Sequence, residues 1–233
     1  MGLTNPLGLL NNDPTHPVRV EDVANGLACN CYCAKCGGQF VAVRNAQTPH
    51  FRHHNCDDCS GSFETAVHLM AKQALVDTKT LMLPYLKVRP ERKLWKVGSF
   101  VTQEILIVQR QRYEFDRVED EVWMGERIPD IVMWKKDRKL LVEIVVTHEI
   151  SDDKLRWIRD NDYATICVNM TWAKYDISHE MIRKSLRDGR MVNCTPRLNI
   201  VSWVHHPQQA AAQEKVNRQY LATLQSIRAG RTG

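Results

Sequence analysis

Apolar positions recur at helical spacing through residues 63–78, FETAVHLMAKQALVDT, where Val67, Met70, Ala71, Ala74 and Leu75 fall on one stripe. The pattern then changes to runs that read as strands: YLKV (85–88), SFVTQEILIV (99–108), YEFDRVEDEVWM (113–124), DIVMW (130–134) and KLLVEIVV (139–146). The charged turn KKDRK (135–139) joins the last two. A second helix is predicted after Ser151, a suitable N-cap with Asp152 and Asp153 in the favourable first turn. TICVNM (165–170) reads as a buried strand behind it. In the tail, 208–228, Val216, Tyr220, Leu224 and Ile227 repeat at helical spacing. The first 28 residues carry one short strand, THPVRVEDV (15–23), and a polar turn.

This order predicts a mixed α/β core without internal repeats. Three units are expected: a lead-in and Cys/His-rich unit over 1–60, the core over 61–206, and a C-terminal helix and tail over 207–233. The tail helix is expected to dock on the core, with homodimerisation through it as the other use of its stripe.

Composition narrows the class. A hydrophobic share of 43% and a charged share of 25% over 233 residues are those of a globular protein. No run of about eighteen apolar residues suggests a membrane span. MGLTNPLGLLNND lacks a basic leader and an apolar core, so no signal peptide is read, and a bacterial or viral protein of the bacterial cytoplasm is expected. The net charge of +5 points weakly to an anionic partner. Its placement says more: RPERKLWK (89–96), RQR (110–112) and KKDRK gather cations in the middle of the chain. Solvated strand ends and turns would account for such runs equally well.

Six of the eight cysteines lie between Cys29 and Cys59, leaving Cys167 and Cys194 apart. Without a secretory signal, such a cluster favours a metal over disulfides. Cys33-x2-Cys36 followed by Gly37-Gly38 has the form of a zinc knuckle, two thiolates gripping one ion above a tight backbone turn. The segment HFRHHNCDDC (50–59) offers His50, His53, His54, Cys56 and Cys59 for the remaining two positions. By their sequence, residues 29–60 are expected to be too small for a hydrophobic core of their own.

Asp130 opens one predicted strand and Glu143 lies in the middle of the next. Adjacent strands can bring such carboxylates together around a hard cation such as Mg²⁺. That ion would activate water and offset charge on a phosphate. Glu143 is the more informative, because an unpartnered carboxylate inside LLVEIVV would be costly; its ordinary alternative is an edge-strand glutamate facing solvent. On the first helix Glu64, His68 and Lys72 follow one another at four-residue spacing and border the apolar stripe, a candidate third wall of the site.

Taken in order, these pieces resemble the competence protein CoiA-like nucleases, a branch of the PD-(D/E)xK restriction-endonuclease-like superfamily. The resemblance spans roughly residues 18–170. It rests on Cys33-x2-Cys36, His50-Phe51-Arg52-His53, Cys59, Glu64-x3-His68-x3-Lys72, then Glu121 ahead of Arg127-Ile-Pro-Asp130, and Glu143. It implies a restriction-endonuclease-like mixed sheet flanked by helices. Cys33, Cys36, His53 and Cys59 would be ligands of structural Zn²⁺, with Cys56 or His50 as substitutes. Asp130 and Glu143 would bind catalytic Mg²⁺ or Mn²⁺, with Glu121 and Glu64 as supporting carboxylates. The implied activity is phosphodiester hydrolysis in nucleic acid, DNA ahead of RNA. One position departs from the pattern: the motif lysine, two residues after the glutamate, is Val145. Lys154 or Lys72 would have to replace it. The alternative is a degenerate module that binds nucleic acid or a protein partner without cleaving.

Overall fold

The computed structural model describes residues 5–55, 59–90, 104–174, 176–192 and 198–230. Cys56, Cys194, most of RPERKLWK and the first half of SFVTQEILIV lie outside them.

The lead-in forms β1 (Leu7–Leu10) and β2 (Pro17–Arg19), which with β3 (Cys31–Tyr32) make an antiparallel sheet in the order β2-β1-β3. The expected strand over 15–23 is therefore shorter, and Val20–Asp22 is a 3-10 turn. β4 (Phe40–Val43) and β5 (His50–His53) form a hairpin beside it. Residues 29–60 do contribute an apolar cluster, which the lead-in completes with Val20, Leu10, Val18 and Val23. Phe40 stacks on Phe51 at 5.2 Å, and Val20, Ala42 and the thiols of Cys29, Cys31 and Cys33 are buried with them. Buried cysteine behaves as a small hydrophobe, so residues assigned to metal chemistry also serve as filling.

Helix α1 (Ser62–Thr78) buries Val67, Met70, Ala71, Ala74 and Leu75, the predicted stripe. It ends at Lys79, whose left-handed conformation (φ +49°) lets its N–H reach the Leu75 carbonyl. Two short antiparallel ribbons follow: β6 (Thr80–Leu83) with β9 (Gln111–Glu114), and β7 (Leu86–Val88) with β8 (Ile105–Val108). The single strand expected over 113–124 is broken. Phe115 turns into the core and Asp116 accepts hydrogen bonds from Lys135 Nζ and the Lys136 N–H, both at 2.8 Å. The strand resumes as β10 (Arg117–Asp120) and stops at Glu121, where φ of +54° bends the backbone away.

The main sheet has the order β10-β11-β12-β13-β14, with β11 (Ile131–Lys135), β12 (Arg138–Val145), β13 (Thr165–Asn169) and β14 (Val201–His205). β12 and β13 run parallel and the other neighbours antiparallel. A parallel pair needs a crossover, supplied by α2 (Asp152–Asp160), whose N-cap Ser151 accepts from the Lys154 N–H at 3.3 Å. α3 (His179–Asp188) and the final α4 (Gln209–Gly230) complete the chain. Neither α3 nor β14 is among the elements expected from the sequence.

Alternation along β12 assigns each face. Leu140, Val142 and Ile144 join the α1 and α3 core, whereas Leu141 packs with Trp157 and Ile158 of α2. Glu143 is thereby directed to the α2 face. The lead-in is tied to the core as well: His179 Nε2 lies 2.7 Å from the Pro17 carbonyl, and Arg19 Nη1 donates to the Ile177 carbonyl at 2.7 Å. α4 packs on β7 and β8, with Val216 buried. Among the described residues, no helix is long and apolar enough to cross a membrane.

Candidate functional site

Two clusters of chemically active side chains emerge. The first is built on the knuckle. Gly37, at φ +70°, lets residues 33–38 close tightly: the Gly37 N–H donates to the Cys33 carbonyl at 2.9 Å and the Cys33 N–H to the Gly38 carbonyl at 2.8 Å. The turn aims backbone N–H groups at sulfur, those of Lys35 and Cys36 at Cys33 Sγ (3.4 and 3.5 Å) and that of Gly38 at Cys36 Sγ (3.4 Å). The hairpin brings in His53 and the chain beyond it brings in Cys59. Cys33 Sγ lies 3.3 Å from Cys59 Sγ, and His53 Nε2 lies 3.3 Å from Cys36 Sγ and 3.7 Å from Cys59 Sγ.

The four ligand atoms of Cys33, Cys36, His53 and Cys59 all lie within 4.8 Å of one another, a set that could hold a metal such as zinc. Burial opposes the ionisation of Cys33, yet the Ser62 hydroxyl and the surrounding N–H groups bring its thiol down to about 6. Ser62 Oγ, 3.1 Å from Cys33 Sγ, is also fixed by Asn5 Nδ2 at 2.8 Å. His50 stands apart, its Nδ1 against the Thr48 carbonyl at 2.9 Å.

The second cluster lies at the end of the main sheet. The Ile131–Val142 register sets Asp130 beside Glu143. Asp130 Oδ2 accepts from the Ile144 N–H at 2.7 Å and lies 3.1 Å from His68 Nε2 of α1. From the other face, Lys154 Nζ in the first turn of α2 reaches Glu143 Oε2 at 2.5 Å. The pair is thus held between the two helical layers.

Its two carboxyls are pushed in opposite directions. For Asp130 the effect of burial is outweighed by His68, the Ile144 N–H and Lys154, which hold it below the usual carboxylate range. Glu143, only 3% exposed, is pushed up to about 7 by burial and the Asp130 charge, with Lys154 offsetting part of this. Its second oxygen, Oε1, is buried and receives no hydrogen bond among the described residues, the Glu143 carboxyl otherwise meeting the Asp130 carboxyl side chain to side chain. A buried carboxylate oxygen in that state costs free energy unless something binds it. A hard cation on Asp130 and Glu143 fits that unpartnered oxygen and the all-oxygen donor set.

The other expected residues are distributed unevenly. Lys154 meets Glu143, while position 145 is a buried valine on the same strand face. His68 is in the cluster. Glu64, one turn before it, and Lys72, one turn after, are half-buried and make no ion pair among the described residues. Glu121 follows the Asp120–Ile131 pair at the strand end, but its side chain is exposed. Cys167 is a neighbour that sequence reasoning misses. It pairs in register with Glu143 on the parallel strand β13, and burial together with the charges of Glu143, Asp130 and Glu149 pushes its thiol up to about 11. Only the strand pairing reveals it; nothing in TICVNM marks it.

Searches of protein-family models, of curated proteins and of solved structures find no match to this chain.

Proposed function

We propose that the protein is a metal-dependent nuclease of the PD-(D/E)xK type, similar to the CoiA-like branch, hydrolysing phosphodiester bonds in DNA, with zinc in a structural role. The observation that carries the reading is Glu143: a buried carboxylate in an apolar strand, beside Asp130, with Lys154 on one oxygen and the other oxygen unpartnered among the described residues. A purely structural glutamate has no use for that arrangement, which costs stability. The mixed five-stranded sheet with helices on both faces is consistent with a restriction-endonuclease-like fold.

Mg²⁺ or Mn²⁺ held by Asp130 and Glu143 would supply Lewis-acid charge to the phosphate and make water a stronger nucleophile. The chain's own groups divide the rest. His68 and the Ile144 N–H fix the orientation of Asp130 and keep it ionised. Lys154 occupies the role of the motif lysine from a helix instead of from position 145. Its ammonium counters the negative charge that builds on the phosphate oxygens as the water oxygen bonds to phosphorus and the ester P–O bond breaks. Ser151 caps the helix and so fixes where that ammonium stands. Zinc on the thiolate cluster would take no part in the chemistry.

The test is incubation of purified protein with labelled single-stranded, double-stranded and branched DNA, and with RNA, in Mg²⁺ or Mn²⁺. Cleavage by the wild type that disappears in Asp130→Ala and Glu143→Ala supports the proposal. Cleavage surviving either substitution overturns the site assignment. Binding without cleavage on every substrate would identify a degenerate module instead.

A further inference from the structure

The chain leaves β14 at His205 and enters α4 at Gln209, so only three residues turn it from sheet to helix. His206 organises that turn. Its carbonyl accepts from the Gln209 N–H at 2.9 Å, and its ring Nδ1 accepts from the Gln208 N–H at 3.2 Å. A ring nitrogen that accepts carries no proton, so this contact needs the neutral imidazole with its hydrogen on Nε2. The same ring stands perpendicular to that of Trp203, the centroids 5.0 Å apart. Trp203 Nε1 in turn donates to the carbonyl of Pro84, in the turn between β6 and β7, at 3.1 Å. α4 lies on β7 and β8 just beyond, where Gln213 Nε2 donates to the Arg89 carbonyl at 2.7 Å and Val216 is buried. One half-buried imidazole therefore touches both the entry to the helix and the indole that ties β14 to the ribbon beneath it.

The charges around the join favour the neutral ring. Burial and the adjacent His205 hold His206 below the usual imidazole range, and Asp162 offsets only part of this. Asp162, an exposed carboxylate in the turn after α2, is already engaged by His205, whose Nε2 lies 2.7 Å from its Oδ1. The first turn of α4 holds no acid, and its first charged residues, Glu214 and Lys215, come in the second turn. On the ribbon, Glu104 lies 3.4 Å from Lys87 Nζ and 2.6 Å from Arg89 Nε, so those three charges are spent on one another.

A proton added at Nδ1 turns the acceptor into a donor facing another donor, the Gln208 N–H. It also sets a cation beside His205 and at the positive end of α4, where the helix dipole disfavours it. A serine, asparagine or aspartate in this place could accept from the backbone across the ordinary pH range. Histidine can do so only while it is neutral, which makes the contact conditional on pH.

We propose that His206 is a proton-operated latch, holding the start of α4 on the β7–β8 ribbon while its ring is neutral and releasing it when the ring takes up a proton. The latch does not depend on the nuclease reading. Above pH 6.5 the ring is neutral whether α4 is docked or released, and docking is complete. Below that value the released join takes up the proton first, so docking weakens as pH falls through the lower value of the docked ring. Hydrogen exchange of the full chain, corrected for the chemical exchange rate, tests this between about pH 7.5 and about pH 5. In the wild type, protection of the first half of α4 should fall at least about tenfold on acidification, while α2 keeps its protection. His206→Gln cannot take up the proton and should show no such fall. The His206 ring, followed by NMR in the wild type, should titrate at the same pH as the loss of protection. The latch is overturned by wild-type protection that survives acidification, by an equal fall in His206→Gln, by a fall that α2 shares, or by a ring that titrates at a different pH.

Discussion

The thiolate cluster, which could hold a metal, and the carboxylate pair are assembled in opposite ways. Cys33, Cys36, His53 and Cys59 come from 27 consecutive residues, a knuckle and a hairpin, so short-range turns do most of the positioning. Asp130, Glu143, His68 and Lys154 come from two strands and two helices on opposite sheet faces. The first set is ready wherever its local turns form. The second exists only when the whole sheet and both helical layers are in place. A structural metal suits the first assembly, and a site that must hold charges in tension suits the second, since only a completed core can oppose the repulsion between Asp130 and Glu143.

This contrast can be broken most forcefully by crossing the two sites. Asp130→Asn should lower cleavage by about 10³-fold or more while the zinc content stays that of the wild type. Cys33→Ser should lose zinc and destabilise the fold by roughly several kcal/mol, as structural-metal loss does. Metal analysis and thermal melts on both variants check this; loss of zinc from Asp130→Asn would refute the independence of the carboxylate site's chemistry. Next in size, Lys154→Ala should slow cleavage by about 10²-fold and Lys72→Ala by no more than about threefold, read as kcat/KM on one substrate. Equal losses would remove the distinction drawn between the two lysines.

Smaller still is a pH effect in protein without added divalent cation. Glu143 is pushed from 4.5 to about 7 in the folded state. Below pH 4.5 it is protonated folded or unfolded, so its folded-state preference for the proton is fully retained. Between 4.5 and about 7 the unfolded chain releases the proton first, and stability falls as pH rises. Glu143→Gln lacks this loss, so its melting temperature relative to wild type should climb through that window, by an amount corresponding to at most about 3 kcal/mol. A flat difference would show that Glu143 ionises freely. The smallest effect is expected of Ser62→Ala, which should weaken zinc about tenfold, measured by chelator competition, with the fold intact.

Much of this is legible in the chain because local rules dominate it. The α1 stripe, the Ser151 cap, the knuckle and the two strands around KKDRK all follow from spacing within a few residues. What escapes depends on pairing. The 113–124 segment has strand-forming residues throughout, yet Phe115 is claimed by the core and Asp116 by the Lys135–Lys136 turn. α3 does carry Met181, Ile182 and Leu186 at helical spacing behind the Ser178 cap and is legible in the chain once that cap is noticed, whereas β14 is five residues long and fully buries only Val201. Cys167 becomes a neighbour of Glu143 through a parallel register that no short window contains. Glu121 illustrates the reverse, a suitable residue type near Asp130 in sequence whose backbone turns it outward.

α1 touches both clusters, through Ser62 at its first residue and His68 six residues later. Six residues at about 100° each make a fixed rotational phase between the two contacts, about 240° beyond a full turn. A helix is stiff to twisting, so the phase is conserved only while the residue count between them is. One alanine inserted between Phe63 and Val67 would leave every ligand and every carboxylate present in the chain. It would nonetheless turn His68 about 100° away from Asp130 whenever Ser62 stays on Cys33. The helix therefore behaves as a keyed shaft: its length can be read as a coupling constraint on two sites whose chemistries are otherwise separate.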